Sequence, residues 1–565
     1  MGRKLFVNWA AHILKAAPET ALFAALALGH ALGKVKLGSF SLGGVAGSLL
    51  VALVLGQFTG VVLPDAVKAV CFALFIYAVG FKSGPDFFGG LKKSSLKLVF
   101  SSVVQCLTAL ITVLAIAKVC NLSKGFSAGL GAGALTQTAM LGTAGDALAR
   151  LGLGQEQSAK LSSQMAVGFA ITYVFGTVGV IVFLRSFAPK LLGIDPKKAA
   201  RDLETELGAG TVSRPGLITP FTPVVARAFE VGPASGRTTD ELAKELGRAS
   251  IERILRGETI VKPAPDVVLK TDDVLGIAGP REAVLAASRL LGPEVDSREA
   301  LSFEIKAATV VVTSKDVVGH TLAEVRDLFG EENLQGVFMG GLKRQGLALP
   351  IFPGTELRLG DVAELVGRPE EVDRVAGAIG SADAPLGKSD LAYHTFAIVV
   401  GILLGSLSAT VGSVPITLGI GGGVLVSGLF FGWVHARYPM FGALPAPAQW
   451  ILSELGLSAF AAAVGLAAGP LAIAAIRQQG IALLLAGAVV TLVPLLVALG
   501  FGRKVLKLHP VILLGALCGG QTVAAALNAV NEETDSMTPV LGFTVTYAIS
   551  NVLLAIWGPV IVAFT

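Results

Sequence analysis

The chain has 565 residues, of which 53% are hydrophobic and only 15% are charged. Soluble domains carry about 25% charged residues, so this composition excludes an ordinary soluble protein and favours long apolar segments in a membrane.

The charges are distributed unevenly along the chain. Positions 191–390 hold 55 of the 85 charged residues with a net charge of −7, whereas the flanks carry +12. The basic excess lies beside long apolar runs, as in membrane proteins, and not on a folded patch that could bind nucleic acid. We therefore predict an acidic insert between two membrane regions in contact with the lipid bilayer, and no nucleic-acid partner.

In chain order, the first segment is amphipathic. Met1–Ala17 places basic residues around Phe6 and Trp9 and has no signal-peptide cleavage pattern, which predicts an interfacial helix. Apolar runs that could span a membrane follow on both sides of the insert. They are 21–33, 42–63, 66–81, 98–117 and 164–184 before it, and 395–411, 418–434, 456–476, 480–500 and 540–563 after it.

Two further apolar segments, 125–147 and 510–530, are rich in glycine, threonine and glutamine. Irregular backbone at membrane depth persists only when it is buried in protein or lines a cavity. We therefore predict that both segments are re-entrant or broken helices.

Lysine and arginine in short loops predict the orientation in the membrane. The stretch Lys82–Lys97 and the loop with Arg503, Lys504 and Lys507 are the most basic, so we place both in the cytoplasm. Alternation then puts the N-terminus outside and residues 191–390 in the cytoplasm. The predicted location is the plasma membrane, the inner membrane of a bacterium.

The four cysteines, Cys71, Cys106, Cys120 and Cys518, are widely separated and form no metal-binding pattern with histidine. We expect them to be small buried apolar residues, and we expect no cofactor and no metal.

An internal repeat is the clearest signal in the sequence. Residues 41–57 align without gaps on residues 417–433 and share Gly47/Gly423 and Gly56/Gly432 among six identities. Three landmarks follow in the same order in both halves. These are AVGFKSGP and AVGLAAGP (78–85 and 463–470), GALTQT and GALCGGQT (133–138 and 515–522), and GFAITY and GFTVTY (168–173 and 542–547).

Five spans and one re-entrant segment per half would bring the two halves into the membrane from opposite sides. This is an inverted repeat, which is typical of secondary transporters that bind substrate near the midplane at broken helices. The fold class we predict is an α-helical polytopic membrane protein of two inverted repeats with a duplicated α+β cytoplasmic insert. Its divisions are 1–190, 191–300, 301–388 and 389–565.

The predicted substrate site consists of the two polar segments. Hydroxyls, carboxamides and exposed backbone N–H groups near helix N-termini suit an anionic or zwitterionic metabolite without a basic side chain. Close helix packing alone would also explain the glycines. The candidate residues are Gly133, Thr136, Gln137 and Thr138 in the first half and Gly519, Gly520, Gln521 and Thr522 in the second.

Three more residues are candidates with an open alternative. Lys82 lies in a repeated GxxxGP motif and could pair with a substrate carboxylate, or could anchor the membrane interface by snorkelling. Tyr173 and Tyr547 repeat in both halves and either line the pathway or pack between helices.

Two short segments match enzyme motifs, but the sequence around them does not fit the folds in which these motifs occur. GFSAG (125–129) fits a nucleophile elbow and GLGAGA (129–134) fits a dinucleotide-binding turn, but neither follows a strand in an α/β pattern. We expect no enzymatic activity.

The insert also contains a duplication. Residues 251–284 parallel residues 334–372, each with a strand, a glycine turn, an acidic turn and a second hydrophobic strand before a short helix. The pattern GHTLAEV (319–325) followed by LRLGDVAELVG (357–367) resembles the TrkA-type C-terminal domain. That resemblance implies dimerisation and a possible small regulatory ligand.

With these domains between its halves, nearly the whole chain resembles the aspartate:alanine exchanger family. GFKSGP, GALTQT and LGFTVTYAISNVLLAIWG (541–558) carry the resemblance. It implies sodium-independent exchange of carboxylate metabolites, aspartate for alanine or succinate and related dicarboxylates. It also implies that Thr136, Gln137, Thr138, Gln521 and Thr522 contribute to the site.

Two alternatives remain at this point. A ligand-regulated cation channel or cation:proton antiporter would need acidic residues within the spans, whereas Asp146 and Glu454 fall near segment ends and Asp65 and Asp86 are expected in loops. A membrane-anchored sensor would leave the paired polar segments without a role.

Overall fold

The computed structural model describes residues 14, 16–37, 40–41, 43–90, 95–208, 224–247, 249–330, 334, 336–382, 388–411, 414–417 and 419–565. The chain divides into two compact units. The membrane unit comprises Met1–Leu203 and Gly387–Thr565, and the insert comprises Glu204–Leu386. Most of the predicted interfacial helix over Met1–Ala17 lies outside the described residues, as do Lys92 and Lys93.

The first half of the membrane unit is helical apart from one short hairpin. Helices form here because they satisfy their own backbone N–H and C=O groups in hydrocarbon. The elements are α1 (Pro18–Gly33), β1 (Lys36–Leu37), β2 (Phe40–Ser41), α2 (Gly44–Thr59), α3 (Asp65–Gly90), α4 (Leu96–Val119), α5 (Lys124–Ala134), α6 (Thr138–Ala149) and α7 (Gln155–Leu192). Two π-helical turns, Phe175–Gly179 and Phe183–Phe187, interrupt α7.

The charged helix α8 (Pro196–Glu206) leads into the insert. The first copy contains β3 (Val224–Glu230), α9 (Thr239–Leu246), β4 (Ser250–Arg256), β5 (Thr259–Val261), β6 (Asp273–Pro280), α10 (Arg281–Ala287), β7 (Glu294–Val295) and α11 (Arg298–Leu301). The second contains β8 (Lys306–Val312), α12 (Leu322–Phe329), β9 (Val337–Arg344), β10 (Leu347–Ala348), β11 (Val362–Gly367), α13 (Pro369–Ile379) and β12 (Gly380–Ala382).

The two copies have the same sheet topology. Their five-stranded antiparallel sheets run β5-β4-β6-β3-β7 and β10-β9-β11-β8-β12. Each copy opens its first helix with a capping box, built on Thr238 in one and Thr321 in the other. In the first copy Arg256 donates two hydrogen bonds of 2.8 Å to Asp273. In the second, Arg344 donates bonds of 2.7 and 2.6 Å to Asp361.

The second half of the membrane unit repeats the order of the first. It consists of α14 (Leu391–Ser406), β13 (Ser408–Val411), β14 (Val414–Thr417), α15 (Gly419–Arg437), α16 (Ala446–Lys504), α17 (Pro510–Gly520), α18 (Ala524–Thr534) and α19 (Val540–Phe564). Within the described residues, six helices are long and apolar enough to cross a membrane, namely α3, α4, α7, α15, α16 and α19. Helices α2, α14 and α17 are apolar and shorter.

Helix α16 differs from the sequence prediction. The predicted spans 456–476 and 480–500 lie in one continuous helix of 59 residues. At about 1.5 Å per residue such a helix is far longer than a hydrocarbon core of about 30 Å is thick. In the first half the equivalent region is divided into α3 and α4, whereas no glycine cap or helix-ending loop interrupts α16.

Helices of each half of the membrane unit pack on helices of the other half. Gly56 of α2 lies against the carbonyl of Leu466 in α16, and Gly432 of α15 lies against the carbonyl of Phe81 in α3, each too closely for a Cβ. Gly56 and Gly432 are equivalent positions of the repeat. A helix of one half therefore docks on the other half, and the same contact occurs twice.

The segment α5–α6 is a re-entrant hairpin. Gly125, Gly129 and Gly133 of α5 pack against the backbone of Leu161, Met165 and Phe169 in α7, so the two helices advance in parallel. Helix α6 then returns, because the five residues 150–154 connect its end to the start of α7. The start of α5 also lies at the far end of α19, where Lys124 Nζ donates to the Val562 carbonyl at 2.7 Å.

The segment α17–α18 is a hairpin of the same kind in the opposite direction. Gly515 of α17 packs against Pro539, which precedes α19, and Gly542 of α19 packs against Ile512. A five-residue loop, 535–539, connects α18 to α19. The first hairpin therefore enters where α19 ends, and the second enters where α19 begins, as an inverted repeat requires.

Candidate functional site

Each hairpin bends at a threonine in the left-handed backbone region. Thr136 has φ +51° and Thr522 has φ +57°, between α5 and α6 and between α17 and α18. A β-branched residue rarely adopts this conformation, which is strained for it. Since glycine would adopt it freely, the threonine side chains must contribute something else at these two positions.

That contribution is a pair of hydrogen bonds between the two tips. Thr136 Oγ1 donates to the Gln521 carbonyl at 3.1 Å, and Thr522 Oγ1 donates to the Leu135 carbonyl at 3.3 Å. The two bonds are equivalent under the repeat. The hairpin tips, residues 135–137 and 521–523, therefore meet directly inside the membrane unit.

Two further side chains support the tips from neighbouring helices. Gln105 of α4 donates through Nε2 to the Gln521 side chain at 3.1 Å and to the Leu517 carbonyl at 3.3 Å. Thr491 of α16 donates to the Ala134 carbonyl at 3.0 Å, and Gln521 Nε2 donates to the same carbonyl at 3.2 Å. Gln105, Thr491 and Gln521 are each no more than 1% exposed.

The sequence prediction missed Gln105 and Thr491. A usable signal was present, because both are polar residues in largely apolar helices and their spacing of 386 residues equals that of Thr136 and Thr522. Each supports the tip that belongs to the opposite half of the repeat.

The first tip carries an amide pair that the second tip lacks. Gln137 Oε1 accepts the Ala139 amide and caps α6, while its Nε2 donates to Asn551 Oδ1 at 3.1 Å. Asn551 in turn donates to the Tyr547 carbonyl at 2.9 Å. At the second tip the residue that follows the threonine is Val523, and no side chain caps α18. Asn551 is the third residue that the sequence prediction missed.

The candidate glycines lie behind the tips. A Cβ on Gly133 would collide with Thr172 of α7, and a Cβ on Gly519 would collide with the equivalent Thr546 of α19. Gly520 lies against Gln105 Oε1. These glycines therefore serve close helix packing, the alternative left open above, and they bring α7, α19 and Gln105 close to the tips.

The remaining candidates are placed differently. Thr138 is the first residue of α6 and is buried beside Gln137. Tyr173 and Tyr547 are half-buried, with ring centroids 5.3 Å from Phe169 and 5.0 Å from Phe543. Lys82 is exposed on α3, whose buried side packs on α15 through Gly80 and Gly84.

The tips themselves contain only neutral residues. Among the described residues, no group of three His, Cys, Asp or Glu side chains could hold a metal ion. The expectation that Asp65 and Asp86 lie in loops was wrong, because Asp65 begins α3 and Asp86 lies inside this helix and is 5% exposed. Pro85 does not end α3, and the helix continues to Gly90.

Comparisons with known proteins agree with this architecture. The model of the aspartate:alanine exchangers, described as a predicted permease membrane region, matches residues 21–189 and 394–563. The chain belongs to this family. The model of the TrkA-C domain matches residues 228–292, which lie in the first copy of the insert.

Similar proteins are named as transporters. An uncharacterized transporter of Bradyrhizobium diazoefficiens is 39% identical over 99% of both chains. Uncharacterized transporters of Zymomonas mobilis and Shewanella oneidensis are 38% and 36% identical, and the matches cover 98% of this chain and at least 98% of theirs. No solved structure matches the chain. The chain is thus a multi-pass membrane protein of a permease family.

Proposed function

We propose that the chain is a secondary antiporter that exchanges amino acids or C4 dicarboxylates, with aspartate for alanine as the first pair to test. The observation that supports this proposal is the contact between two re-entrant tips through neutral polar groups. Thr136 and Thr522 join the tips, and Gln105, Thr491 and Gln137 surround them. Such a place in an inverted repeat is where secondary transporters bind their substrates.

The chemistry of the tips suits a small carboxylate or zwitterion. The N-termini of α6 and α18 direct partial positive charge and backbone N–H groups toward the tip region. Carboxamides such as Gln137 and Gln521 can both donate and accept, so they can serve an ammonium and a carboxylate of one substrate. No cofactor is needed for such binding.

We further propose alternating access of the rocking or elevator type, in a homodimer in the bacterial inner membrane. The basic short loops support a cytoplasmic location for residues of about 191–390. The two TrkA-type sheets would bind a small regulatory ligand there, and the match of residues 228–292 to the TrkA-C model supports this proposal.

Counterflow in proteoliposomes tests the proposed function. Vesicles preloaded with aspartate should take up labelled aspartate or alanine. The variant Gln137→Ala should reduce this uptake by more than 10-fold, because it removes both the α6 cap and the bond to Asn551. The matched control is Gln57→Ala, which alters a glutamine of α2 outside the tips.

Two outcomes would contradict the proposal. The first is absence of counterflow with every amino acid and C4 acid tested, from protein that is folded by thermal-shift assay. The second is potassium flux that neutralisation of Asp146 abolishes, because this result would identify a cation pathway instead.

A further inference from the structure

The two hairpins differ sharply in burial. Every residue from Gly125 to Ala144 is buried, except for the half-buried Thr136. In the second hairpin α17 is equally buried, apart from the half-buried Ile512, but α18 exposes Ala524 and Ala525 directly beside the tip. Ala525 occupies the position equivalent to Ala139, which is only 1% exposed.

The exposed side of α18 carries two alanines beside the tip and polar or charged residues further along. Asn528, Glu532 and Asp535 are exposed at spacings of four and three residues, so they share one face with Ala524 and Ala525. Charged side chains facing lipid cost several kcal/mol, which indicates that this face borders water. The charged end of α18 therefore borders water, and the same exposed face continues through Asn528 and Ala525 towards the tip at Thr522.

The attachments of the two returning arms differ as well. Helix α6 is held at its start by the Gln137–Asn551 pair and at its middle by Thr143, which donates to the Ala555 carbonyl at 2.7 Å and lies against Gly558. Helix α18 starts at Val523 without a side-chain cap. Near its end, Glu533 forms an exposed ion pair of 3.0 Å with Arg185 of α7.

An exposed ion pair contributes at most about 1 kcal/mol, whereas the packing of a buried helix contributes several times more. Displacing α18 therefore costs far less than displacing α6. Thr522, whose backbone is left-handed, separates α18 from α17 and can act as the hinge when α18 moves.

We propose that α18 is the gate of the substrate site and that substrate enters along its exposed face. The ion pair between Arg185 and Glu533 holds this gate closed. This inference rests on the proposed function. The first hairpin is the fixed wall of the site, and the arm α18 of the second hairpin moves away from it.

Thiol labelling tests the path. In a background where Cys71 and Cys120 are alanine, Ala525→Cys should react with a hydrophilic maleimide at least 10-fold faster than its matched control Ala139→Cys. The two native cysteines that remain, Cys106 and Cys518, are fully buried and give the baseline. Labelling should occur from only one side of the membrane, the side of Arg503 and Lys507. Equal rates at both positions, or reaction from the opposite side, would overturn the proposal.

Crosslinking tests the motion. Joining Arg185→Cys to Glu533→Cys with a short, cleavable bis-thiol reagent should abolish counterflow, and cleavage of the reagent should restore it. Each single cysteine variant treated with the same reagent is the control for loss of the ion pair. Counterflow that continues with the crosslink formed would show that α18 does not gate the site.

The two tests separate this inference from the proposed function. Labelling does not depend on the substrate, so the expected asymmetry with no transport of any acid tested would refute only the proposed substrates. Counterflow of aspartate or alanine with symmetric labelling would refute only the gate.

Discussion

The molecule contains two internal duplications that are assembled in opposite ways. In the insert each copy forms its own five-stranded sheet and contains its own arginine–aspartate pair. In the membrane unit each copy is completed by the other. Helix α2 packs on α16, α15 packs on α3, and the residue that supports each tip comes from the opposite half.

This difference follows from what each copy can bury alone. A five-stranded sheet with helices packed on it encloses a hydrophobic core, such as that around Phe229, Leu242 and Leu275. A single membrane half exposes glycine stripes and bent hairpins whose free carbonyls need partners. The copies of the insert can therefore change independently, whereas the membrane halves are constrained to change together.

The largest expected effect comes from variants that prevent the two membrane halves from packing on each other. Both Gly56→Val and Gly432→Val should prevent recovery of folded protein, because each new side chain would meet backbone atoms of the other half. Overpacking ordinarily costs about 1–3 kcal/mol, and more where backbone cannot yield. Thermal unfolding of the purified protein in detergent measures the effect.

The control for these variants is Gly89→Ala, where a Cβ meets no atom within 4 Å. Because Gly56 and Gly432 are equivalent positions of the repeat, we expect the two valine variants to destabilise the protein to a similar extent. A severe effect of one with a mild effect of the other would show that the exchanged contacts are not equivalent.

A smaller effect should distinguish the two copies of the insert. Arg344 and Asp361 have side chains that are 3% and 1% exposed, whereas Arg256 is 31% exposed. Breaking a fully buried pair costs about 3–5 kcal/mol. We expect Arg344→Ala to destabilise the fragment 204–386 by that amount and Arg256→Ala by clearly less, because Arg256 borders solvent and its truncation would let water reach Asp273. Urea unfolding of the fragment measures both, and equal losses would contradict the difference in burial.

The smallest effect concerns the contact between the two copies. Glu252 of β4 lies 3.2 Å from Arg368, which follows β11, and its carboxylate is 4% exposed. Burial raises the pKa of Glu252 above its usual 4.5, so the folded insert retains a proton that the unfolded chain has lost. Stability from this group is therefore full below pH 4.5 and declines as the pH rises through the folded pKa.

Glu252→Gln should remove this decline. The free energy of unfolding of the fragment 204–386, measured between pH 4.5 and 7, should fall less with rising pH in the variant than in the parent. Asp273 provides the opposite case. Burial acts to raise its pKa, but the bonds from Arg256 and the Lys270 amide hold it below 3.8, so its contribution is present above that pH and is lost on acidification. A pH profile unchanged by Glu252→Gln would contradict the raised pKa.

Much of the fold was predictable from the sequence. The apolar runs, the insert and the inverted repeat depend on composition and spacing, and both re-entrant segments were indicated by glycine and threonine in apolar surroundings. Threonine at 136 and 522 was predicted from the repeat and lies at the tips.

The residues that were missed share a physical reason. Gln105, Thr491 and Asn551 are polar residues on largely apolar helices, and their partners are more than 350 residues away in the chain. Periodicity describes which side of a helix is apolar and says nothing about which distant carbonyl a lone amide reaches. The continuity of α16 was also hidden, because Gln478 and Gly480 between its two apolar runs are typical of a loop.

The length of α16 has a mechanical consequence. This single helix makes the contact with α2 through Gly465 and Gly469, and it supports the first tip through Thr491. Pro470, beside Gly469, and Pro494, less than one turn after Thr491, each remove a helical hydrogen bond, so the helix can bend at both points. A displacement of the first tip can thus be accommodated by a local bend at Pro494, while the contact of the same helix with α2 is kept.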